Sequence, residues 1–106
     1  MLWHTLGSWS GRDNVQTESF TSETGALRVQ WETRNETKPN TGAFKLTMNS
    51  AISGRPIMTA VDRRGVGRET AYVSDDPRTY YAVVESSNLD WTFTVQEGSA
   101  GTVVPK

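Results

Sequence analysis

Carboxylates in turn-like segments are the first residues of this sequence whose chemistry can be stated. Asp75 and Asp76 precede Pro77, a combination typical of turns. Asp62 and Asp90 lie beside other turn-like segments, and we expect these carboxylates at the same end of a sandwich. Loops that gather three or more carboxylates bind Ca²⁺ through oxygen ligands alone. Because no Asp-x-Asp spacing occurs, the sequence predicts no cofactor and leaves calcium at Asp62, Asp75, Asp76 and Asp90 as an alternative.

A second group consists of arginines around two glycines, in the segment Arg63-Arg64-Gly65-Val66-Gly67-Arg68. Guanidinium groups around a glycine-rich turn can bind a phosphate, sulfate or carboxylate. In that case Arg63, Arg64 and Arg68 would be the ligand-binding residues. A Gly-x-Gly between strands lacks the helix start that nucleotide-binding loops use. We therefore favour the other interpretation, a solvated hairpin whose arginines serve solubility.

Aromatic side chains form the third group, because a flat ring can cover the apolar face of a sugar. Trp31 and Trp91 alternate in phase with apolar residues, which predicts that both are buried. The less constrained aromatic residues are Trp3, Trp9, Tyr72 and Tyr80. An exposed pair among them would form a ligand-binding platform. A place in the core or over a sheet edge is the alternative for each one taken singly.

Catalytic chemistry finds little support in the sequence. The chain has no cysteine, and its one histidine, His4, has no accompanying motif. Nucleophilic hydrolysis needs a nucleophile, a base and an orienting group within hydrogen-bond reach. The net charge of −1 provides no field that would attract nucleic acid, and no apolar run is long enough to span a bilayer. The sequence predicts that the protein is not an enzyme, does not bind nucleic acid and has no transmembrane segment.

The elements that must position these side chains are predicted to be strands. Apolar and polar residues alternate without error at residues 27–32, 44–49 and 91–96. Weaker patterns predict five more strands, at residues 3–9, 16–21, 57–61, 69–73 and 80–84. The last of these is apolar on both faces and should be the most central. No helix is predicted.

About eight short strands joined by turns predict an antiparallel β-sandwich of Greek-key or jelly-roll type. A chain of 106 residues fits a single domain. We expect this domain to cover residues 1–97 and residues 98–106 to form a flexible tail or linker.

Several segments together resemble a recurring β-sandwich module of exported bacterial proteins. In such modules a Phe precedes a Trp-bearing strand, a Gly-Phe strand, a Tyr-Tyr strand and a closing Trp-x-aromatic-x-Val strand. The matching segments are Glu18-Ser19-Phe20, Leu27 to Glu32, Gly42 to Leu46, Asp76 to Val84 and Asp90 to Val95. The pattern is similar to CUB-type or C2-type sandwiches, although the CUB disulfides are missing and Arg78 stands where the turn usually carries Gly. The resemblance implies an extracytoplasmic location within a longer precursor and no particular site residues.

The sequence thus predicts a non-catalytic binding or structural module of an exported bacterial protein. Its partner, a protein or a glycan, would contact loops or an edge strand. The alternative is a carbohydrate-binding domain that uses exposed aromatic residues, and a more distant alternative is a calcium-dependent binding module. A hydrolase ranks below these. The N-terminal residues show no signal peptide.

Overall fold

The computed structural model describes residues 2–99 of the chain, which form nine β-strands joined by turns and loops and contain no helix. The strands are β1 (Leu2–Gly11), β2 (Val15–Gln16), β3 (Phe20–Ser22), β4 (Ala26–Arg34), β5 (Ala43–Ser50), β6 (Pro56–Arg64), β7 (Gly67–Ser74), β8 (Arg78–Ser87) and β9 (Asp90–Ser99). The three segments with error-free alternation lie within β4, β5 and β9.

The strands form two antiparallel sheets that pack face to face. The four-stranded sheet has the order β1-β9-β4-β7. The five-stranded sheet has the order β2-β8-β5-β6, and β3 pairs with β8 on the same side as β2. When β2 and β3 are counted as one strand, the chain follows the strand order of a jelly roll, with only the β5–β6 hairpin staying within one sheet. The predicted antiparallel sandwich of Greek-key or jelly-roll type is confirmed.

The predicted strand at residues 16–21 is interrupted, which raises the number of strands to nine. Between β2 and β3, the backbone N–H of Thr17 donates to the carbonyl of Ala82 at 2.9 Å. The hydroxyl Oγ1 of Thr17 accepts from the backbone N–H of Ala82, also at 2.9 Å. A side-chain oxygen therefore takes the place of the backbone carbonyl that a continuous strand would supply, and the ladder breaks there.

Large side chains from both sheets fill the space between them. The ring of Phe44, on β5, lies 5.9 Å from the ring of Trp31 and 6.0 Å from that of Trp91, measured between centroids. Trp31 and Trp91 are 6% and 2% exposed, so their predicted burial is confirmed. The alternating apolar residues of β4 and β9 thus form one wall of the core, and their polar neighbours face solvent.

Strand β8 lies inside the five-stranded sheet, with β2 and β3 on one side and β5 on the other. Its inward side chains, Tyr80, Ala82 and Val84, are fully buried. Its outward side chains, Tyr81 and Val83, are only half-buried. The predicted interior position is correct, and the apolar outer face of this strand is only half-buried because no described part of the chain covers the outer side of this sheet.

A β-bulge in β1 decides which way its aromatic residues point. Thr5 pairs with Gln96, but Gly7 pairs with the very next residue of β9, Val95, so Leu6 is an extra residue. Six positions separate Trp3 from Trp9, a spacing that puts both side chains on one face of a regular strand. The extra residue places them on opposite faces instead.

Strand β9 extends two residues beyond the predicted end of the domain. Gly98 pairs with Trp3 and Ser99 pairs with Leu2, because β1 reaches far enough to offer both residues ladder partners. The predicted tail therefore begins no earlier than residue 100, and residues 100–106 lie outside the described part of the chain.

Candidate functional site

The carboxylates proposed as calcium ligands are held by other protein groups or lie apart. Asp75 Oδ2 lies 3.1 Å from Arg78 Nε and accepts a hydrogen bond from the Tyr80 hydroxyl at 3.2 Å. The same hydroxyl donates to the backbone carbonyl of Asp76 at 2.6 Å, and Arg78 also contacts the Asp76 carboxylate at 3.5 Å. This loop is therefore closed by one arginine and one buried tyrosine.

The other two carboxylates do not reach that loop. Asp90 pairs with Arg34 at the far end of β4 from Gly25, whose carbonyl accepts from the Asp75 N–H. Asp62 pairs with Lys45 on the outer side of the five-stranded sheet. Within residues 2–99, no three acidic or histidine side chains gather as metal ligands would. The expectation that these carboxylates share one end of the sandwich is wrong. The lengths of β4 and β7 separate the loop of Asp75 and Asp76 from Asp62 and Asp90.

The Tyr80 hydroxyl should make stability depend on pH in the alkaline range. Burial, reinforced by the charge of Asp75, raises the pKa of Tyr80 to about 12 from an ordinary value of 10.0. The folded protein therefore keeps a proton that the unfolded chain loses, so the stabilisation is complete below about pH 10 and is lost as the pH rises to about 12. We expect a loss of about 2–3 kcal/mol across this interval, measured by urea unfolding.

The matched variants for this prediction are Tyr80→Phe and Tyr72→Phe. Tyr80→Phe should flatten the decline in stability between about pH 10 and pH 12, whereas Tyr72→Phe should leave it unchanged because Tyr72 is 65% exposed. An equally steep decline in Tyr80→Phe would show that another group causes it.

The candidate anion-binding arginines diverge onto three surfaces. Arg63 turns towards the gap between the sheets, where it forms an ion pair with Glu69 at 3.2 Å and lies 5.8 Å from the centre of the Trp31 ring. Arg64 points outward from the five-stranded sheet, in phase with Asp62. Arg68 points outward from the four-stranded sheet. They form no common anion site, since alternate residues of a strand face opposite ways.

Of the aromatic candidates, Trp9 is partly buried and packs against the core. Its ring stacks on Phe93 with centroids 5.2 Å apart and also contacts Phe20 at 5.5 Å. Its indole N–H donates to the Glu18 carboxylate at 3.0 Å, which lowers the pKa of Glu18. The large ring lies directly over Gly7, where a Cβ would overlap it. Trp9 is therefore not a ligand platform.

Trp3 and Tyr72 come together on the solvent side of the four-stranded sheet, which we call the outer face. Their ring centroids are 6.2 Å apart, and Tyr72 is 65% exposed. The Arg28 guanidinium lies 4.4 Å from the centre of the Trp3 ring, within cation–π distance. Arg28 Nε also donates to Gln96 Oε1 at 2.6 Å, so the arginine is fixed on the sheet beneath the indole. We call Trp3, Arg28 and Tyr72 the aromatic end of the outer face.

The same face carries polar side chains along its length. Gln30 pairs with Thr70 on β7 and with Thr94 on β9, and Thr94 shares a hydroxyl–hydroxyl hydrogen bond with Ser8 at 2.8 Å. An open depression of about 390 Å³ lies over these strands. Its outward-facing lining residues are Gln30, Glu32, Arg68, Thr70, Thr92 and Thr94.

Glu32 and Arg68 lie directly opposite each other across β4 and β7, and we call this pair the charged end of the outer face. Among the ion pairs of residues 2–99, neither side chain takes part in one. Their carboxylate and guanidinium groups are therefore available to a ligand as an acceptor and a donor fork.

His4 lies away from this face. It pairs with Glu97 at the edge of the four-stranded sheet, and its Nε2 is 3.5 Å from the Glu97 carboxylate. That carboxylate is buried and already accepts from the backbone N–H groups of Glu23 and Thr24, at 2.7 and 3.0 Å. Glu97 thus attaches the β3–β4 turn to β9, and His4 lies beside this contact.

No family model, curated protein or solved structure matches this chain. Residues 2–99 contain no helix with the length and hydropathy needed to cross a membrane.

The sequence singled out three residues of the outer face, Trp3, Tyr72 and Arg68. It did not single out Arg28, Glu32 or the row of Gln and Thr side chains as a ligand surface. The signal was present, because these are the polar positions of the same alternating segments that predicted the core. What was missing was the strand order that places β1, β9, β4 and β7 side by side.

Proposed function

We propose that this chain is a non-catalytic binding module that holds a glycan on the outer face of its four-stranded sheet. The observation that carries the proposal is the exposed Tyr72, packed beside Trp3, on the same face as the Glu32–Arg68 pair. An aromatic ring suits the apolar C–H face of a sugar, and donor and acceptor groups suit its hydroxyls.

The polar groups between the two ends favour the same ligand class. Gln30, Thr70 and Thr94 present hydroxyl and amide groups that donate as well as accept, as sugar hydroxyls do. These groups stand on strands within a sheet, so their spacing is fixed before a ligand arrives. Preorganised groups lose little conformational entropy on binding.

The absence of catalysis is part of the proposal. Hydrolysis of a glycosidic bond requires two carboxyl groups on either side of that bond. On the outer face of residues 2–99, Asp90 is the other carboxylate besides Glu32, and it is held by Arg12 at 2.9 Å and Asn35 at 2.7 Å. These contacts lower the pKa of Asp90, the Asn35 hydrogen bond having the larger effect. Asp90 therefore remains ionised and engaged, which suits a structural role.

An extracytoplasmic location in a bacterium, as expected from the sequence resemblance, completes the proposal. A secreted or envelope protein meets polysaccharides directly. The complete reading frame beginning with an export signal would support this part, and a frame fused to a cytosolic enzyme would contradict it.

The test of the proposed function is glycan binding by the purified protein, with a glycan array first and isothermal titration of any hit second. Tyr72→Ala should weaken binding about tenfold or more, because it removes the exposed ring. Tyr81→Ala, which removes a tyrosine from the outer side of the other sheet, should leave the affinity unchanged. An array without hits, or equal losses in the two variants, would contradict the proposal.

A further inference from the structure

The two ends of the outer face are separated along the strands. Tyr72 pairs with Arg28, and Arg68 pairs with Glu32, so the two pairs are four positions apart along both β4 and β7. At about 3.3 Å per residue this is a distance of about 13 Å. A single sugar ring is too short to touch both the exposed tyrosine and the charged end.

The charged end is suited to binding two neighbouring hydroxyl groups of a sugar. One sugar hydroxyl can donate to the Glu32 carboxylate while the next accepts from the Arg68 guanidinium. Because the two residues occupy opposite positions on adjacent strands, their Cβ atoms lie about 5 Å apart. The pair would therefore contact a single sugar unit, with Glu32 accepting from one hydroxyl and Arg68 donating to its neighbour.

The charges of the outer face favour a neutral ligand over an acidic one. Glu32 stands opposite Arg68 and offsets its charge. Arg34 stands opposite Asp90 on the same face, and the third arginine, Arg28, lies against the Trp3 ring and donates to Gln96. Within residues 2–99, Arg28 is thus the one arginine of the outer face without a carboxylate opposite it, and the indole of Trp3 lies against it, which leaves little free positive charge to hold a carboxylated or sulfated sugar.

The depression includes the charged end and extends from it towards the aromatic end as far as Gln30 and Thr70. Thr70 lies two positions from Tyr72 along β7 and two positions from Arg68, and it lines the depression. Its partner Gln30 is exposed and lies midway between Arg28 and Glu32. A ligand that follows the strands thus meets polar groups at each step.

We infer that the outer face binds an extended stretch of a neutral polysaccharide that lies along β4 and β7, from the aromatic end to the charged end. The inference rests on the proposed function and adds the length, direction and charge of the ligand. Affinity should then depend on chain length, and the two ends should contribute separately.

The experiment is titration of the purified protein with cello-, xylo- and manno-oligosaccharides, each from the monosaccharide to a chain several units long, and with oligogalacturonate as the acidic probe. In at least one neutral series, affinity should rise tenfold or more with length and then level off once both ends are occupied. Oligogalacturonate should bind at least tenfold more weakly than the neutral chain of equal length.

Variants of the charged end test its contribution to binding. Arg68→Ala and Glu32→Ala should each lower the affinity for the longest chain about fivefold or more, and should leave the affinity for the shortest binding sugar unchanged. Arg64→Ala and Glu85→Ala make the same charge changes on the outer side of the five-stranded sheet and should have no effect. Thermal melting of each variant confirms that it is folded.

The outcomes separate the inference from the proposed function. A monosaccharide that binds as tightly as the long chain, or a preference for oligogalacturonate, would overturn the inference while glycan binding stands. Equal losses in the Arg68 and Arg64 variants would also overturn it, because the sugar chain would then lie elsewhere. If neither these sugars nor any glycan on the array binds, the proposed function itself fails.

Discussion

Replacing Trp91 with alanine is expected to lower the free energy of unfolding by about 3–5 kcal/mol. The ring is 2% exposed and lies between Phe44 and Phe93, with centroids at 6.0 and 5.6 Å. Its indole N–H donates to the backbone carbonyl of Asp13 at 3.1 Å. The substitution leaves a cavity where the two sheets meet and removes the indole donor of the Asp13 carbonyl, and the cavity accounts for most of the cost.

Urea unfolding followed by circular dichroism measures this effect. The matched control is Thr92→Ala on the same strand, whose side chain faces solvent and should cost under about 1 kcal/mol. Because a domain of this size is stable by about 5–15 kcal/mol, Trp91→Ala can leave the chain largely unfolded. Trp91→Phe keeps most of the packing and should then give a smaller, measurable loss. Equal losses for Trp91→Ala and Thr92→Ala would contradict the observed facing of β9.

Replacing Glu97 with alanine should cost about 2–4 kcal/mol, because two hydrogen bonds to a charged acceptor are lost. Its carboxylate is buried, and it accepts the backbone N–H groups of Glu23 and Thr24 while lying beside His4. Alanine leaves both N–H groups without this acceptor, and hydrogen bonds to a charged group are worth more than neutral ones. The β3–β4 turn would lose its attachment to β9.

Two further variants separate the cause from a general effect of removing a glutamate. Glu97→Gln keeps one oxygen as an acceptor, so its free energy of unfolding should fall between that of the parent protein and that of the alanine variant. Glu85→Ala removes an exposed carboxylate and should change stability by no more than about 0.5 kcal/mol. If Glu97→Ala were as mild as Glu85→Ala, the buried contacts would not be contributing to stability.

The fold was predictable because alternation directly encodes which face of a strand is buried. Residues 27–32 and 91–96 show this without error, and their apolar residues form the core wall of β4 and β9. Glu97 continues that apolar phase after Val95 and is also buried. Alternation alone treats a carboxylate as exposed, and only the turn that supplies its two N–H donors explains why this one is not.

The candidate site was predictable only in part, because it depends on which strands are neighbours. Arg63, Arg64 and Arg68 are close in sequence, yet a hairpin sends them to three different surfaces. Trp3 and Tyr72 are far apart in sequence and meet through two intervening strands. Local spacing carries information about facing, whereas the order of strands is set by packing over the whole chain.

The extra residue Leu6 in β1 has an evolutionary consequence. The segment from Ser8 to Gly11 is anchored to the core through Trp9, while the segment before the bulge presents Trp3 to the solvent. A one-codon insertion or deletion between Trp3 and Thr5 would exchange the side chains that this segment presents, because facing alternates at every residue. A single mutational event could thus replace the indole at the surface and leave the hydrophobic layer intact. Such an event would alter the proposed glycan-binding surface while the sandwich fold persists.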